Sequence, residues 1–152
     1  MIYVFDVDGT ITIVGDRLNL IKKDKKDWDA FYNKCDEDEP NIPILNLYRQ
    51  LDINNHEIIA LTGRRESCRQ KTLEWFFDHG AFLDTTDLLM RPDGNTEKAT
   101  ELKPRMLRDW IMDKGYEKRH ESEFLIFEDS SSMVKKWREL GYTCCQVAEG
   151  DF

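Results

Sequence analysis

Ile2, Tyr3, Val4 and Phe5 form an unbroken apolar run that gives way at once to Asp6, Val7, Asp8 and Gly9. A short apolar run without alternation is the pattern of a strand covered on both faces of a parallel sheet. Similar runs recur at His56 to Leu61, Leu88 to Met90, Phe124 to Phe127 and Tyr142 to Val147. Between them the apolar spacing becomes helical. Trp28, Phe31, Tyr32 and Cys35 fall at i, i+3, i+4 and i+7, as do Ile44, Leu47, Tyr48 and Leu51, with Pro43 suited to a first turn. Leu73, Phe76 and Phe77 predict a helix stopped near Gly80. Leu107, Trp110 and Ile111 predict one opened by Pro104 and ended near Gly115, and Met133, Val134, Trp137 and Leu140 a last one. Residues 12–40 are charged and irregular apart from one amphipathic turn, and Arg91 to Thr100 reads as a loop.

Strands that alternate with helices predict an α/β fold: a parallel sheet sandwiched by helices, with right-handed crossovers that bring every strand's C-terminal end to one edge. Ligands bind along that edge. It collects Asp6 and Asp8 after the first strand, Thr62, Gly63 and Arg64 after the second, Arg91 after the third, and Glu128, Asp129 and Ser130 after the fourth. Lys103 stands at the start of the helix between the third and fourth strands.

Composition narrows the field. A chain of 152 residues is read as one domain, 1–152, able to bury roughly two-thirds of its unfolded surface. The net charge of -8 disfavours a protein that coats long nucleic acid, yet leaves room for gripping one terminal phosphate. Lys22, Lys23, Lys25 and Lys26, and Arg64 with Arg65, are local exceptions, and a solvated face is the simpler reading of the lysines. Four cysteines without a CxxC suggest neither a zinc cluster nor a disulfide framework. With no leader pattern and no long apolar run, a cytoplasmic protein that does not span a membrane is expected. Nothing in the sequence sets the oligomeric state.

Several carboxylates at one edge would raise one another's pKa unless a cation joins them. Magnesium takes oxygen ligands, keeps several waters and is held by one or two carboxylates plus a substrate phosphate. Asp6, Asp129 and the backbone of Asp8, with Glu128 nearby, are the candidate metal ligands. Phosphate monoester hydrolysis is slow enough uncatalysed to need several effects at once. Asp6 can serve as nucleophile and form an aspartyl-phosphate. Asp8, staying protonated long enough to donate to the leaving oxygen, would later deprotonate water. Thr62, Lys103 and backbone N–H groups would hold the phosphoryl oxygens.

DVDGT after the first strand, Thr62, Lys103 and Glu128-Asp129 in that order resemble the four motifs of the haloacid-dehalogenase-like (HAD) phosphatases. The resemblance implies a Rossmann-like sheet, Mg2+, and Asp6 and Asp8 as nucleophile and acid/base. The segments DRLNLI, KDWDAFY, DEPN, LTGRRE, LLMR and WRELGYTCCQVAEGDF are similar, more narrowly, to the 3'-phosphatase domain of phage-type polynucleotide kinase/phosphatases. That likeness implies substrate-site roles for Arg17 and Arg64, to which Gly63 and Arg91 are added as substrate-binding candidates. It also implies a phosphorylated substrate, a nucleic-acid 3' end or a nucleotide, and a minimal cap-like insertion over about 12–40. No GxxxxGK[ST] loop occurs, so a kinase is not expected.

Two departures stand out. Where the family carries Asp-x-Arg-x-Asp before the motif lysine, this chain reads Asn95-Thr96-Glu97-Lys98-Ala99, and the usual Asp-Asp after the fourth strand is Glu128-Asp129. A phosphatase of mononucleotides or other small phosphate esters is therefore the alternative. From a different class, a non-catalytic phosphate-binding module is disfavoured by the intact Asp6, Asp8, Thr62 and Lys103. A response-regulator receiver is disfavoured because its phosphorylated Asp follows a middle strand. Trp28, Phe31 and Tyr32 are read as core, with a base-stacking cap as the other possibility.

Overall fold

The computed structural model describes residues 1–150. Along the chain come β1 (Ile2–Phe5), β2 (Thr12–Ile13), α1 (Trp28–Asn33), β3 (Glu39–Pro40), α2 (Ile42–Ile53), β4 (Glu57–Arg65), α3 (Arg69–Asp78), β5 (Leu88–Arg91), α4 (Ala99–Asp113), β6 (Phe124–Ser130), α5 (Ser131–Glu139) and β7 (Thr143–Gly150). Five strands form one sheet in the order β5-β4-β1-β6-β7, every neighbouring pair parallel. The chain thus builds outward from β1 on one side, through β4 and β5, and then crosses to the other side for β6 and β7. The crevice at such a reversal is where ligands enter an open parallel sheet, and Asp6 and Asp8 directly follow β1. The α/β architecture read from the sequence is the one observed.

Strand alternation sorts the core into two layers. Phe5, Ala60 and Phe127 pack with Leu45 and Tyr48 of α2 and with Trp75 and Phe76 of α3. Val4, Ile59 and Ile126 pack on the opposite face with Leu107 and Trp110 of α4 and Trp137 of α5. Each of the larger of these buried side chains contributes about 1.5–3 kcal/mol through lost apolar exposure. No helix among the described residues is long and apolar enough to cross a membrane.

Several boundaries differ from the sequence reading. β4 runs on through Thr62 and Arg64, and β6 through Glu128 and Asp129, so these residues lie inside strand ends rather than after them. Both extensions follow a register irregularity, between Leu61 and Arg65 and between Glu128 and Ser130. A bulge of this kind re-aims side chains without ending the strand. β7 likewise reaches Gly150. α4 starts at Ala99, not at Pro104, which lies inside it. One full turn precedes the proline, and only the bond to the carbonyl four residues earlier is given up. In α3 the buried face is Thr72, Trp75 and Phe76, while Phe77 is 79% exposed. That rotation lets Thr72 meet Arg64 and lets the Trp75 indole donate to the Asp38 carbonyl at 2.8 Å.

Residues 12–40 are more ordered than a charged irregular stretch suggests. β2 and β3 pair antiparallel at their base, Thr12 with Pro40 and Ile13 with Glu39. α1 is capped by Asp27, whose carboxylate accepts from the Ala30 N–H at 3.0 Å.

Candidate active site

Asp6 leaves the end of β1 with its backbone N–H bonded to Phe127 of β6 at 3.0 Å. Its Oδ2 accepts the Thr10 hydroxyl at 3.0 Å, and its Oδ1 accepts the Lys103 ammonium at 2.6 Å. The same ammonium donates to Glu128 Oε2 at 2.8 Å. Oxygens of Asp6, Glu128 and Asp129, all buried, lie within 4.8 Å of one another. Burial, reinforced by the Glu128 charge, pushes the Asp6 carboxyl up to about 7. Burial, with the charges of Asp6 and Glu128, pushes Asp129 up to about 8. Burial works against the Lys103 charge, but the two acids prevail and hold its pKa above the usual lysine range. One cation therefore faces three acids. Oxygen donors this close and this poorly neutralised fit a divalent cation.

Asp129 is held by what its neighbours lack. A Cβ on Gly9, whose φ is +88°, would lie 2.1 Å from Asp129 Oδ2, and one on Gly150 would lie 1.8 Å from the same oxygen. The carboxylate occupies the space that two side chains would otherwise take.

Asp8, two residues from Asp6, has a different environment. Its Oδ1 accepts Arg17 Nη2 at 2.7 Å and Arg64 Nε and Nη2 at 2.9 and 2.7 Å. Both guanidinium groups reach Asp38 as well. Asp38 Oδ1 accepts Arg17 Nε at 2.7 Å, and Oδ2 accepts Arg17 Nη2 at 2.6 Å, Thr12 Oγ1 at 3.0 Å and Arg64 Nη2 at 3.4 Å. Arg64 Nη1 donates to Thr72 at 3.1 Å, and the Arg17 guanidinium lies 4.2 Å from the Phe31 ring centre. Burial alone would raise the Asp8 pKa, yet Arg64 and Arg17 draw it below the usual carboxylate value. Two buried cations thus stabilise the ionised form of Asp8. Neither arginine lines the cleft; both reach Asp8 from behind.

Thr62 is fully buried and its hydroxyl accepts the Arg64 N–H at 3.1 Å. The Gly63 carbonyl accepts the Tyr32 hydroxyl at 3.2 Å and Arg91 Nε at 3.2 Å. Arg91 Nη1 also donates to Asn95 at 2.9 Å and to the Glu97 carbonyl at 2.7 Å, so this arginine braces the loop 92–98. Glu97 pairs in turn with Arg105. Asp6, Asp8, Thr62, Gly63, Lys103 and Asp129 come together around a cavity of about 310 Å³, whose lining also includes Glu128, Arg91 and Glu97. Its remaining wall includes Trp28, Phe31 and Tyr32. Phe31 is buried, as a core residue should be, whereas Trp28 is 37% exposed, so the helical face read as core is only partly so.

Sequence reasoning missed Thr72 and gave no site role to Thr10 or Asp38, although DVDGT and DEPN contain them. Asp38 sits in the run Asp36-Glu37-Asp38-Glu39, where nothing separates the one buried acid from its exposed neighbours.

Comparison with known proteins bears on the fold and the family. A protein of Autographa californica nuclear polyhedrosis virus, named as a bifunctional polynucleotide kinase/RNA ligase, is 26% identical over 140 residues, spanning 89% of this chain and 17% of the viral protein. A solved chain of the Pnkp1/Rnl/Hen1 complex matches 99% of this chain and 46% of its own length, at 24% identity and a TM-score of 0.73. The D,D-heptose 1.7-bisphosphate phosphatase of B. bronchiseptica, solved with magnesium and phosphate, shares the fold at 15% identity and a TM-score of 0.63, over 98% of this chain and 82% of its own. The chain thus spans less than half the length of the first two. The model of the polynucleotide kinase PNKP phosphatase domain matches residues 1–152, and the chain therefore belongs to that family of HAD-fold hydrolases of phosphate monoesters.

Proposed function

We propose that this chain, as a single domain over 1–152 with a small cap-like insertion at 12–40, removes 3'-phosphates from nucleic-acid ends. The reaction is magnesium-dependent and passes through an aspartyl-phosphate on Asp6. The observation that carries this reading is the Asp6 carboxylate at the end of the central strand, gripped by Lys103 at 2.6 Å and closely flanked by Glu128 and Asp129. Asp6, Asp129, Glu128 and the Asp8 backbone carbonyl would hold Mg2+, which supplies charge neutralisation for the acids and the phosphoryl oxygens.

Asp6 attacks phosphorus as the bond to the 3'-oxygen breaks, and that oxygen takes a proton from Asp8. Arg17 and Arg64 favour ionised Asp8 before substrate binds, so Asp8 takes up a proton before it donates one. In the second half, water gives Asp8 its proton and attacks the phosphorus. The bond to Asp6 then breaks and inorganic phosphate leaves. Lys103 and Thr62 steady the phosphoryl oxygens while charge shifts. Arg17 and Arg64 act through Asp8, and Asp38 positions both of them.

A second reading, a phosphatase of mononucleotides or small esters, is favoured by Glu97, a carboxylate at the cavity where a further phosphate would be repelled. The test is phosphate release with magnesium from a 3'-phosphorylated oligonucleotide, 3'- and 5'-mononucleotides and an aryl phosphate. The expected order places the oligonucleotide first in kcat/KM. A lead for the mononucleotides would favour the second reading, and no release from any substrate would sink both.

A further inference from the structure

Trp28 is the shared wall of two adjoining hollows. One is the catalytic cavity; the other, about 630 Å³, is lined by Lys23, Lys25, Lys26 and Arg65 with Leu20, Asp27 and Asp29. The Trp28 and Tyr32 rings stand nearly parallel, 23° apart with centres 5.9 Å distant. Tyr32 is fixed by its bond to the Gly63 carbonyl, and Phe31 anchors the same helix in the core. Cations lie over the rings, with Lys26 Nζ 5.6 Å from the indole centre and the Arg65 guanidinium 5.0 Å from the phenol ring centre. Of the acids nearby, Asp29 pairs with Arg65, and Asp27 caps α1. The segment from Lys22 to Lys26 holds four exposed lysines against one aspartate, in a chain whose net charge is -8.

We infer that this second hollow is the track for the nucleotides preceding the phosphorylated end. Trp28, backed by Tyr32, carries a base by stacking, and Lys23, Lys25, Lys26 and Arg65 engage the phosphodiesters before it. The inference rests on the nucleic-acid reading above and names its ligand as single-stranded polynucleotide. Stacking on an aromatic platform accepts any base, and lysines along a groove follow the backbone without reading sequence. The track is therefore expected to add affinity without adding base preference.

The experiment uses single-stranded thymidine oligonucleotides of one, two, three and six residues, each 3'-phosphorylated. Hydrolysis is read on the wild-type protein, and binding on Asp6→Asn protein by anisotropy of 5'-labelled strands. From one to three residues, kcat/KM is expected to rise about tenfold or more, through KM rather than kcat. Trp28→Ala is expected to bring the trimer-to-monomer ratio close to one, and Trp28→Phe to restore it. Replacing Lys23, Lys25 and Lys26 by serine should flatten the salt dependence of oligonucleotide binding, while Lys118→Ser, in the exposed segment between α4 and β6, should not. Equal kcat/KM at every length, or a Trp28→Ala loss identical for all lengths, would overturn the track and leave the phosphatase standing. Affinity that climbs with length while nothing is hydrolysed would overturn the phosphatase reading and support the track.

Discussion

Asp6 and Asp8 leave the same turn two residues apart and enter opposite electrostatic worlds. Around Asp6 one buried cation faces three acids, and the carboxyl is pushed up to about 7. Around Asp8 two buried arginines face two acids, and the carboxyl is drawn down. The first neighbourhood is short of positive charge and suits a metal and an incoming phosphate. The second is balanced without any ligand and suits a group whose position must not depend on occupancy. A residue's own chemistry does not distinguish the two aspartates; their partners from β4, α4, β6 and the 12–40 segment do.

Removing the central acid of the unbalanced side tests the contrast most strongly. On the proposed mechanism, Asp6→Asn should lower magnesium-dependent phosphate release by more than about 10³-fold with the circular dichroism spectrum unchanged, because the proposed nucleophile is lost and the overall packing is not. Full activity in that protein would sink the mechanism. On the balanced side the effect should be structural. Asp38→Ala leaves two buried arginines sharing Asp8 alone and is expected to cost about 3–5 kcal/mol in urea unfolding, the range for breaking a buried ion-pair network. Asp38→Asn should recover part of that stability and, by leaving both guanidinium groups less neutralised beside Asp8, lower the apparent pKa of that group in the kcat profile.

Gly9→Ala is expected to cost about 2 kcal/mol through its positive φ, and to weaken magnesium binding in calorimetry by displacing Asp129. The smallest effect concerns pH. Asp6 and Asp129 have folded pKa values of about 7 and about 8 against the usual 3.8, so the stability carried by their protonated forms is present at low pH and is lost as pH rises through those values. Asp8 works the other way: its lowered pKa adds stability above 3.8 that disappears as acid protonates it. Metal-free protein should therefore gain about 1 kcal/mol on going from pH 8 to pH 7, and Asp6→Asn should flatten that slope.

The sequence carried the sheet and most of the edge chemistry, because strand hydrophobicity and the residues that follow each strand are local signals. Asp6, Asp8, Thr62, Lys103, Glu128 and Asp129 all come together at one cavity or its immediate rim. Asp38 stayed illegible because its meaning comes from arginines 21 and 26 residues away. The early start of α4 escaped because a proline reads as a helix opening when one tolerated turn precedes it. Phe77 was placed inward by apolarity alone, whereas the orientation of α3 is fixed by the polar work of Thr72 and Trp75. Trp28 shows the converse: helical spacing marks a face, but not whether that face meets core or cleft.

The bond between Lys103 and Asp6 joins residues 97 apart in sequence, and that between Arg64 and Asp8 joins residues 56 apart. Contacts of such long range form late, since each must overcome the entropy of closing a large loop. A half-folded chain can hold helices and one edge of the sheet, but a fragment that lacks either end of this span cannot hold Asp6 beside Lys103. In refolding, the recovery of phosphate release should therefore trail the recovery of helical signal, which makes the chemistry itself a clock for the last step of folding.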